Sequence, residues 1–585
     1  MASGSKQGND GREGLDPKRR RCLLEDPDVQ ALLREEGQKR DALPPLLQET
    51  FYVNDPIHGL ICLPGVVKLF VDSMEFQRMR FIKQLGICEW VFPGATHNRF
   101  FHSIGTAYLS WEMIRGLQSR QPELQISNRD LACVTLAGLC HDLGHPCFSH
   151  MFEVFMHQLG HERWSHEQAS VVLVKELLRR FWPRLSSELG LGSDAEGDDQ
   201  QLIQELIDPP KAEMEKLKEG KRLKEEWASV LKGRTVDKAW IYEIVSNWRT
   251  GIDVDKFDYF RRDALFLGIG RQHDHNRYMK SVKVIVDEDG LTTISPPEKD
   301  KDHIRENILE LRKTLHRFAY QHKTVKKLEQ HMIDILMLFN KHATVTGTNN
   351  RRMTIAEAAL EVDLVAYPKL TDMLVETRLL EAEEEGLKAA CQLYQKTFIQ
   401  RKLMRNVLIW WLPPAEEVAQ RLPTTQQFLR EMWELYDQSG PSRPSRDFAR
   451  DEVRCVDAKL HYGMKQVDPI KKIVFHDKQG QPRLFEDHDA NPLRQKFFVL
   501  WSPPDELEQS DVPQRLSMAA MGVASKYTTE PETTPVSPLR RKSRSGDLEA
   551  SPPPSTPKVR LRQKRQLQVE SSYPVSTEIF ERKLD

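Results

Sequence analysis

The sequence predicts a mostly α-helical protein with small β-hairpins, a smaller α+β lobe toward the C-terminus and disordered termini. Two observations support the helical class: apolar residues recur at helical spacing over most of residues 66–412, and strictly alternating stretches are few and short. The termini are predicted to be disordered because both ends of the chain are polar and charge-rich, with little to bury.

The composition restricts the class of protein. The chain has 585 residues, of which 39% are hydrophobic and 29% charged, and its formal net charge of −1 gives no overall bias toward nucleic acid. No apolar run approaches the roughly 18–20 residues that span a bilayer, and the first residues lack the apolar core of a secretory signal. Eight cysteines without a CxxC pair indicate reduced thiols in the cytosol or nucleus.

Residues 1–45 are predicted to form a disordered tail with a basic cluster at residues 17–21. Such a cluster is typical of a nuclear import signal, and the alternative is a solvated run of charges. The sequence therefore predicts a nuclear protein, with the cytoplasm as the alternative compartment.

Ordered structure is expected from Phe51 onward. Helical spacing over residues 66–115 is interrupted by a turn at residues 91–94, and an apolar helix is predicted from Leu131 to Cys140. The central part of the chain then continues in this order: a helix over residues 167–181, an acidic linker over 188–200, a charged helical stretch over 211–227 and helical spacing over 239–263.

The C-terminal half combines helices with two hairpins that have glycine in the turn. The predicted elements are hairpins at residues 282–295 and 472–485 and helices over 302–338 and 356–412. Beyond Ser502 the composition shifts to Ser, Pro, Thr and charged residues, which predicts a tail without a core.

Residues 135–153 contain the densest group of chemically active side chains. His141, Asp142, His145 and His150 lie within ten residues, directly behind an apolar helix. Burying them would cost several kcal/mol, on the order of 1–3 kcal/mol for each group left without a partner. A metal ion and a bound anion would supply those partners, so this stretch is predicted to form the floor of an active site.

Four residues are candidates for one metal site: His102, His141, Asp142 and Asp255. Imidazole and carboxylate together suit Fe, Mn, Zn or Mg. Neighbouring residues on a helix point about 100° apart, so the helix must end or deform at the His-Asp pair if both are to bind one ion, and Gly144 permits this. A single histidine is better explained as a satisfied core side chain, and only the whole group favours a site.

Other functional side chains accompany these candidates. Arg99 precedes His102 by three residues, which places both on one helical face, and Lys256, Tyr259 and Asp263 could follow Asp255 along a helix. Glu153 lies three residues after His150, so its carboxylate can orient that imidazole and raise its pKa, as a general acid requires.

Two competing motifs are excluded by spacing. The chain has no GxxxxGK[ST] loop, so a P-loop does not hold phosphates. His161-Glu162 and His166 form HExxxH and not HExxH, so the two imidazoles do not share a helical face as they do in a zinc protease.

Five segments carry a family resemblance: NDPIHG, FQRMRFIKQLG, VFPGATHNRF, AGLCHDLGHPCFSHMFE and GIDVDKFDYFRRD. With them the chain resembles the HD-domain metal-dependent phosphohydrolases, and more closely the family of sterile-alpha-motif and HD-domain deoxynucleoside triphosphate triphosphohydrolases. The resemblance covers about residues 51–464 and is strongest before Lys323. The sterile alpha motif of that family has no counterpart in the polar residues that precede the match.

The resemblance implies hydrolysis of a dNTP to a deoxynucleoside and triphosphate, which would limit dNTP pools and restrict reverse-transcribing viruses. It implies an HD catalytic domain over residues 46–330 and a regulatory, oligomerising lobe over 331–501, followed by a basic Ser/Pro-rich tail. It also assigns the four metal ligands named above and a catalytic shell in which His150 is the general acid. The members of that shell are His145, His150, Glu153 and His166. The family motif has Asp at position 153, so full activity does not follow.

The resemblance further implies nine substrate contacts, and Mg²⁺ would accompany the nucleotide. They are Gln84, Leu85, Arg99, Lys256, Tyr259, Asp263, Arg312, Tyr320 and Gln321. Arg99, Lys256 and Arg312 would contact phosphates, and Tyr320 would exclude a ribose 2′-hydroxyl. Without the resemblance, Tyr320 would be interpreted as an ordinary core aromatic.

Activation by GTP and dNTP, with assembly of a homotetramer, is also implied. The matching residues are Asn54, Asp72, Gln77 and Arg80 for a guanine-reading site, and Arg277, Lys323, Arg401 and Arg405 for a second activator site. Two departures weaken this expectation, because Phe51 stands where a phosphate-binding Lys is expected and Phe318 replaces an Arg.

The tail combines a proline-directed phosphorylation site at Ser537 with basic residues over 540–565. It predicts a single-stranded nucleic-acid contact or a second import signal, tuned by phosphorylation, and the alternative is a solvated tail. A rival function is therefore an HD-fold nucleic-acid-binding protein with weak or no catalysis. Within enzymes, the alternative is an HD phosphohydrolase that releases a different product.

Overall fold

The computed structural model describes residues 43–527, except 196, 271–273, 412–422, 440–449, 461, 463–467, 486–493 and 503–510. The predictions for the basic cluster at residues 17–21 and for the phosphorylation site at Ser537 lie outside the described residues.

Helices dominate the described chain, which confirms the predicted class. Numbered α1 to α19 in chain order, they are Gly65–Val71, Met74–Gln77, Arg99–Arg120, Asn128–Cys140, His150–Gln158, His166–Leu189, Asp199–Ile207, Lys211–Glu219, Trp227–Val230, Val254–Phe266, His275–Ser281, Lys301–His303, Glu310–Leu315, Lys323–His342, Ile355–Glu361, Asp372–Leu380, Glu385–Tyr394, Thr425–Gln438 and Val512–Ala524. Among these helices, none combines the length and the apolarity that crossing a membrane would require.

The strands are short and pair only antiparallel. Numbered β1 to β13, they are Glu49–Asp55, Gly59–Pro64, Ser193–Asp194, Gly197–Asp198, Lys283–Val286, Thr292–Ser295, Val345–Thr346, Arg352–Met353, Arg405–Trp411, Val453–Leu460, Phe475–His476, Pro482–Arg483 and Arg494–Trp501. Both predicted hairpins are confirmed, as β5–β6 and β11–β12.

Tighter and wider helical turns complete the described chain. The 3₁₀ turns are Pro45–Leu47, Arg78–Phe81, Gly86–Trp90, Pro122–Leu124, Val236–Glu243, Glu298–Asp300, Thr348–Asn350, Tyr367–Lys369, Arg450–Glu452 and Pro469–Lys472, and the π-helical turns are Ile304–Leu309, His316–Tyr320 and Gln395–Ile399.

Helices α3, α4 and α10 pack closely because two glycines allow it. A Cβ at Gly138 of α4 would lie 2.1 Å from Oγ of Ser110 on α3. A Cβ at Gly105 of α3 would lie 1.9 Å from Oδ1 of Asp258 on α10. The absence of side chains at these two positions therefore brings three helices together in the interior.

The main hydrophobic core extends from Leu46 to Phe475 and includes residues on both sides of position 330. A second cluster lies in the C-terminal part of the described chain and includes Trp410, Phe428 and Phe497. The predicted boundary between a catalytic domain and a C-terminal lobe at residue 330 stays a prediction.

The helical prediction for residues 356–412 is wrong at its end, because residues 405–411 form strand β9. This stretch reads RNVLIWW, and its β-branched and aromatic side chains favour a strand. Strand β9 lies at one edge of a three-stranded antiparallel sheet in the order β10-β13-β9. Apolar side chains of the sheet pack with α18 and α19 in the second cluster.

The tail predicted from residue 502 is also corrected, because α19 is a packed helix. Leu516, Ala520 and Val523 of this helix are buried in the second cluster. Their helical spacing was obscured by the surrounding Ser, Pro and charged residues.

Two further helix boundaries differ from the prediction. Helix α6 continues through Pro183 to Leu189, eight residues beyond the predicted end at residue 181. The charged stretch over residues 211–227 forms α8, which ends at Glu219, and only the start of α9.

Candidate active site

The site begins where helix α4 ends. Ser127 and Asp130 form a capping box at its N-terminus. The helix ends at Cys140, so His141 and Asp142 lie at the beginning of the turn that follows. The helix therefore ends at the His-Asp pair, as the sequence predicted it must for both side chains to reach one ion.

Gly144 has a different role from the predicted one. Its φ is not positive, so the turn does not depend on the conformational freedom of glycine. A Cβ at this position would lie 2.2 Å from the carbonyl oxygen of His166 and 2.3 Å from the amide nitrogen of Ser170. Gly144 therefore lets the turn approach the first residues of α6, which brings His166 to the site.

Two histidines and two carboxylates converge on one point. Nε2 of His102 lies 3.2 Å from Nε2 of His141, 3.3 Å from Oδ2 of Asp142 and 3.1 Å from Oδ1 of Asp255. The same Asp255 oxygen lies 3.3 Å from Nε2 of His141. The structure thus brings together the four residues predicted as metal ligands.

The donor set fits a divalent ion. Nδ1 of His141 donates to the carbonyl oxygen of Gly138 at 2.9 Å, and Nδ1 of His102 donates to Oδ2 of Asp258 at 2.7 Å. Each ring therefore presents Nε2 to the other ring, and the two lone pairs repel unless a metal ion or a proton lies between them. Ligand separations of about 3.0–3.4 Å are the edges of octahedral and tetrahedral sites with bonds of about 2.1 Å.

The charges around the ligands also favour a cation. Burial alone would lower the pKa of His102, but its contacts with Asp255 and Asp258 raise that pKa to about 10. Burial alone would raise the pKa of Asp142, but the guanidinium of Arg99 and neighbouring imidazoles hold it well below its ordinary value. Asp142 is therefore ionised at neutral pH, as a metal ligand must be.

Sequence reasoning missed Asp258, which is fully buried behind His102. Its Oδ1 accepts a hydrogen bond from Nε2 of His58 at 2.7 Å, and both of its oxygens accept from Arg262 at 2.8 Å. A carboxylate in this position orients a ligating imidazole and fixes its tautomer. The sequence feature that could have identified Asp258 is its spacing of three residues from Asp255, which places both on the same helical face.

Three more histidines form a second cluster beside the first. The rings of His145 and His166 stack with centroids 3.7 Å apart and 19° between their planes, and His150 meets both edge-on. Their nitrogens are close enough for metal binding. However, the lone pairs of two parallel rings run side by side and do not meet on one ion. Parallel N–H groups suit the oxygens of an anion better.

Glu153 contacts a different histidine from the predicted one. Its Oε2 accepts from Nδ1 of His166 at 3.2 Å, whereas Nδ1 of His150 is 4.0 Å away, beyond a hydrogen bond. The side chain of His150 is 70% exposed, while Glu153 is directed toward the start of α6. The carboxylate therefore orients His166, and the predicted direct hold on His150 is corrected.

The backbone is strained directly before His150. Phe148 has a φ of 59° and Ser149 a φ of 58°, values that non-glycine residues rarely adopt. Each such residue costs about 1–3 kcal/mol and persists only where its surroundings fix it. Oγ of Ser149 accepts from Nε of Arg99 at 2.8 Å, which ties this turn to α3.

A cavity of about 620 Å³ opens from the ligand cluster. This volume lies within the usual range for small-molecule sites. All nine predicted substrate contacts line it: Gln84, Leu85, Arg99, Lys256, Tyr259, Asp263, Arg312, Tyr320 and Gln321. The metal-ligand candidates, His150 and His166 line it as well, while Glu153 and His145 lie behind that lining.

The cavity wall carries two different kinds of contact. Beside the ligand cluster Arg99 forms an ion pair with Asp142. Elsewhere in the wall the hydroxyl of Tyr320 donates to Asp263, whose second oxygen accepts from Nε2 of His97 at 2.7 Å. The wall therefore combines charged side chains with a tyrosine that is held by a hydrogen bond.

The predicted activator residues do not line the cavity. Nε of Arg80 donates to Gln77 at 2.8 Å, and Asp72 pairs with Lys68 on the same short segment. Nε of Arg277 donates to Asp300 at 3.0 Å.

The other residues of these sets lie on separate elements. Asn54 is in β1, Lys323 begins α14, Arg401 follows a π-helical turn and Arg405 begins β9. The two departures from the family pattern lie at the surface of the described chain, with Phe51 half-buried and Phe318 exposed.

Comparison with known families identifies the class. A family model described as HD domain matches residues 99–230, a range that contains His102, His141 and Asp142. The fold and the ligand cluster are those of an HD-domain protein.

Relatives that match about three quarters of this chain carry the name deoxynucleoside triphosphate triphosphohydrolase SAMHD1. The protein from Bos taurus is 34% identical over 441 residues, which are 74% of this chain and 70% of that protein. The human protein is 34% identical over 74% of this chain and 66% of its own length. A homolog from Dictyostelium discoideum is 36% identical over 74% of this chain and 72% of its own length. The chain therefore belongs to the SAMHD1 family.

Proposed function

We propose that this protein hydrolyses deoxynucleoside triphosphates to a deoxynucleoside and inorganic triphosphate. The observation that carries the proposal is the convergence of two imidazoles and two carboxylates beside a cavity of about 620 Å³. The relatives named as triphosphohydrolases support the substrate and the product.

Three basic side chains in the cavity wall suit a triphosphate, which carries about four negative charges. Arg99, Lys256 and Arg312 line the cavity, and a guanidinium can hold two phosphate oxygens at once. Lys256 is itself held by Asp253, whose Oδ2 accepts from its Nζ at 2.9 Å. This contact raises the pKa of Lys256 despite its burial, so the ammonium stays charged.

The histidine cluster supplies the proton transfers. In the proposed reaction a water oxygen bonds to the α-phosphorus, the bond from that phosphorus to the 5′ oxygen breaks, and the proton that the water loses passes to solvent. His150, exposed at the cavity wall, donates a proton to the departing oxygen, a contribution of about 10²–10⁴-fold. His166, which lines the cavity, directs an N–H group toward the phosphoryl oxygens, where negative charge accumulates, and His145 stacks behind its ring.

His102, His141, Asp142 and Asp255 would hold a divalent ion, and the choice among Fe, Mn, Zn and Mg rests on metal analysis of the purified protein. When bound, the ion would polarise a phosphoryl oxygen and make water more acidic. Mg²⁺ would accompany the nucleotide.

Tyr320 would select the sugar. Asp263 holds its hydroxyl, so the ring is fixed in the cavity wall, and a ribose bound against it would have neither room nor a partner for its 2′-hydroxyl. We expect Tyr320→Ala to raise turnover of GTP relative to dGTP by about tenfold or more. Unchanged discrimination would contradict this role.

Product identification tests the proposed reaction. Purified protein is incubated with each dNTP and Mg²⁺, and the products are separated by anion-exchange chromatography. Triphosphate and deoxynucleoside in equal amounts support the proposal, and Asp142→Asn should abolish both. Phosphate with a nucleotide would indicate a different phosphohydrolase, and no product with retained nucleic-acid binding would favour the rival function.

We further propose that GTP and dNTP activate the enzyme by assembling a homotetramer. Burial and the charges of Lys323 and Arg317 lower the pKa of Lys496 to about 8, which indicates crowded cations that a triphosphate would relieve. Sedimentation should show a shift to tetramer at millimolar GTP plus dNTP, which Lys323→Ala weakens. An unchanged profile of the wild-type protein would contradict activation by assembly.

The remaining proposals concern the cell. A nuclear location follows from the basic cluster at residues 17–21, and its removal should leave a fluorescent fusion in the cytoplasm. Contact with single-stranded nucleic acid would use residues 540–565, so deleting them should reduce both the affinity for nucleic acid and the salt dependence of that affinity.

Restriction of reverse-transcribing viruses would follow from dNTP depletion and should disappear in Asp142→Asn.

A further inference from the structure

The turn between α4 and α5 is held by residues outside the HD-domain match. The hydroxyl of Tyr367, in the segment that leads into α16, donates to the carbonyl oxygen of Gly144 at 2.5 Å. Nη2 of Arg78 donates to the carbonyl oxygens of Leu143 and His145 at 2.8 and 2.7 Å. Side chains from before and after the matched range thus fix the first half of this turn.

Asp372, the first residue of α16, fixes the second half. Only 3% of this residue is exposed. Oδ1 accepts from the amide of Phe148 at 2.6 Å, and Oδ2 accepts from the amide of Lys83 at 2.9 Å. Phe148 lines the proposed substrate cavity, and so does Gln84, the neighbour of Lys83. One carboxylate therefore joins two walls of the cavity.

These contacts close a ring around the strained backbone. Asp372 holds the amide of Phe148, and the next residue, Ser149, donates from Oγ to the carbonyl oxygen of Lys83 at 2.7 Å. The amide of Lys83 donates to Oδ2 of Asp372, which completes the ring of contacts. Because Phe148 and Ser149 both have positive φ, this closed ring supplies the fixed surroundings that such a conformation requires.

The position of His150 depends on this ring. His150 directly follows Ser149 and begins α5, and its side chain is largely exposed, with Glu153 as far as 4.0 Å away. Apart from its edge-on contacts with His145 and His166, its ring is therefore placed by its backbone. We propose that Asp372 is a positioning residue that sets the strained turn before His150 and so aims its imidazole at the leaving oxygen. This inference rests on the proposed function.

Asp372→Asn is the informative variant. Two backbone amides need two acceptor oxygens, and an Asn amide offers one oxygen and directs an NH₂ group at the other donor. We expect kcat to fall by about 10- to 100-fold, with KM changed by no more than about twofold, because a general acid is misplaced and the phosphate contacts are retained. Asp372→Glu keeps two acceptor oxygens and should recover part of the loss.

Glu376→Gln is the matched control. It makes the same carboxylate-to-amide change one turn further along α16, on a half-buried side chain that does not line the cavity. We expect both variants to keep the wild-type amount of metal per chain and the wild-type melting temperature if Asp372 sets the position of His150 and does not act on folding.

Hydrogen exchange provides a readout that does not depend on turnover. Amides of residues 145–152 should exchange at least about tenfold faster in Asp372→Asn than in Glu376→Gln. The inference is overturned if the two variants match in kcat and in exchange, or if the loss of kcat accompanies loss of metal and a general fall in melting temperature. Wild-type protein that hydrolyses no dNTP would contradict the proposed function. The exchange comparison would then still test whether Asp372 holds the turn before His150.

Discussion

Nε2 of His102 lies 3.1 Å from Oδ1 of Asp255, although the two residues come from helices far apart in the chain. This contact makes the metal site depend on the packing of α10 against α3. We expect Asp255→Asn to lower metal bound per chain by at least about tenfold and turnover to near background, because a neutral amide is a poor ligand. Metal analysis and dNTP turnover measure the two effects. Exposed Asp302→Asn is the control, and full metal content in Asp255→Asn would contradict the site.

Asp258 should act on the metal through His102. Asp258→Asn removes the carboxylate that accepts from Nδ1 of His102, so metal affinity should fall by about 10- to 100-fold. A titration with added metal measures this effect, and excess metal should restore most of the turnover. If the variant is inactive at every metal concentration but folded, Asp258 does more than orient the ligand.

Glu153 should matter through His166. Glu153→Gln keeps the length and loses the charge, whereas Glu153→Asp keeps the charge and loses the reach that gives the 3.2 Å contact. We expect kcat to fall by about tenfold in the Gln variant and less in the Asp variant. Steady-state kinetics with one dNTP tests the order. A more active Asp variant would mean that the shorter side chain orients the cluster better.

His331 should make stability fall in mild acid. Burial, with the charges of Arg454 and Lys396, lowers the pKa of His331 to about 4, and its Nε2 accepts from the amide of Met404 at 3.2 Å. Between about pH 6.5 and 4 the His331 imidazole binds a proton in the unfolded chain but not in the folded chain. The contribution of His331 to the free energy of unfolding should therefore drop by about 1.4 kcal/mol per pH unit in this window and be constant above it.

Denaturant unfolding at several pH values measures this slope. His331→Gln should flatten it, and the same exchange at half-buried His161 is the control. An equal acid slope in wild type and His331→Gln would contradict the assignment.

Local patterns predicted much of the fold. The end of α4 at Cys140 and both hairpins followed from apolar spacing and turn residues, which act over a few residues. Strand β9 was misjudged because RNVLIWW is a short apolar run, and its edge position in a sheet depends on β13, which is remote in sequence. Long-range pairing of this kind leaves little trace in a local window.

In the candidate site, too, local features were predicted and long-range contacts were not. The metal-ligand candidates and the cavity residues were found through residue types, spacing and family resemblance. Asp258 and Asp372 were not, because each acts through a hydrogen bond to a residue more than a hundred positions away. The partner of Glu153 was misjudged because helical spacing points to His150, while the approach of α6 at Gly144 presents His166.

Gly138 illustrates how far the chemistry depends on a residue without a functional group. It has no side chain to bind an ion, yet a methyl group there would press on Ser110 and on the backbone of Thr106, so α4 and the histidine at its end would have to shift. Even alanine, the mildest exchange at this position, should therefore weaken the metal site while leaving all four candidate ligands in the sequence.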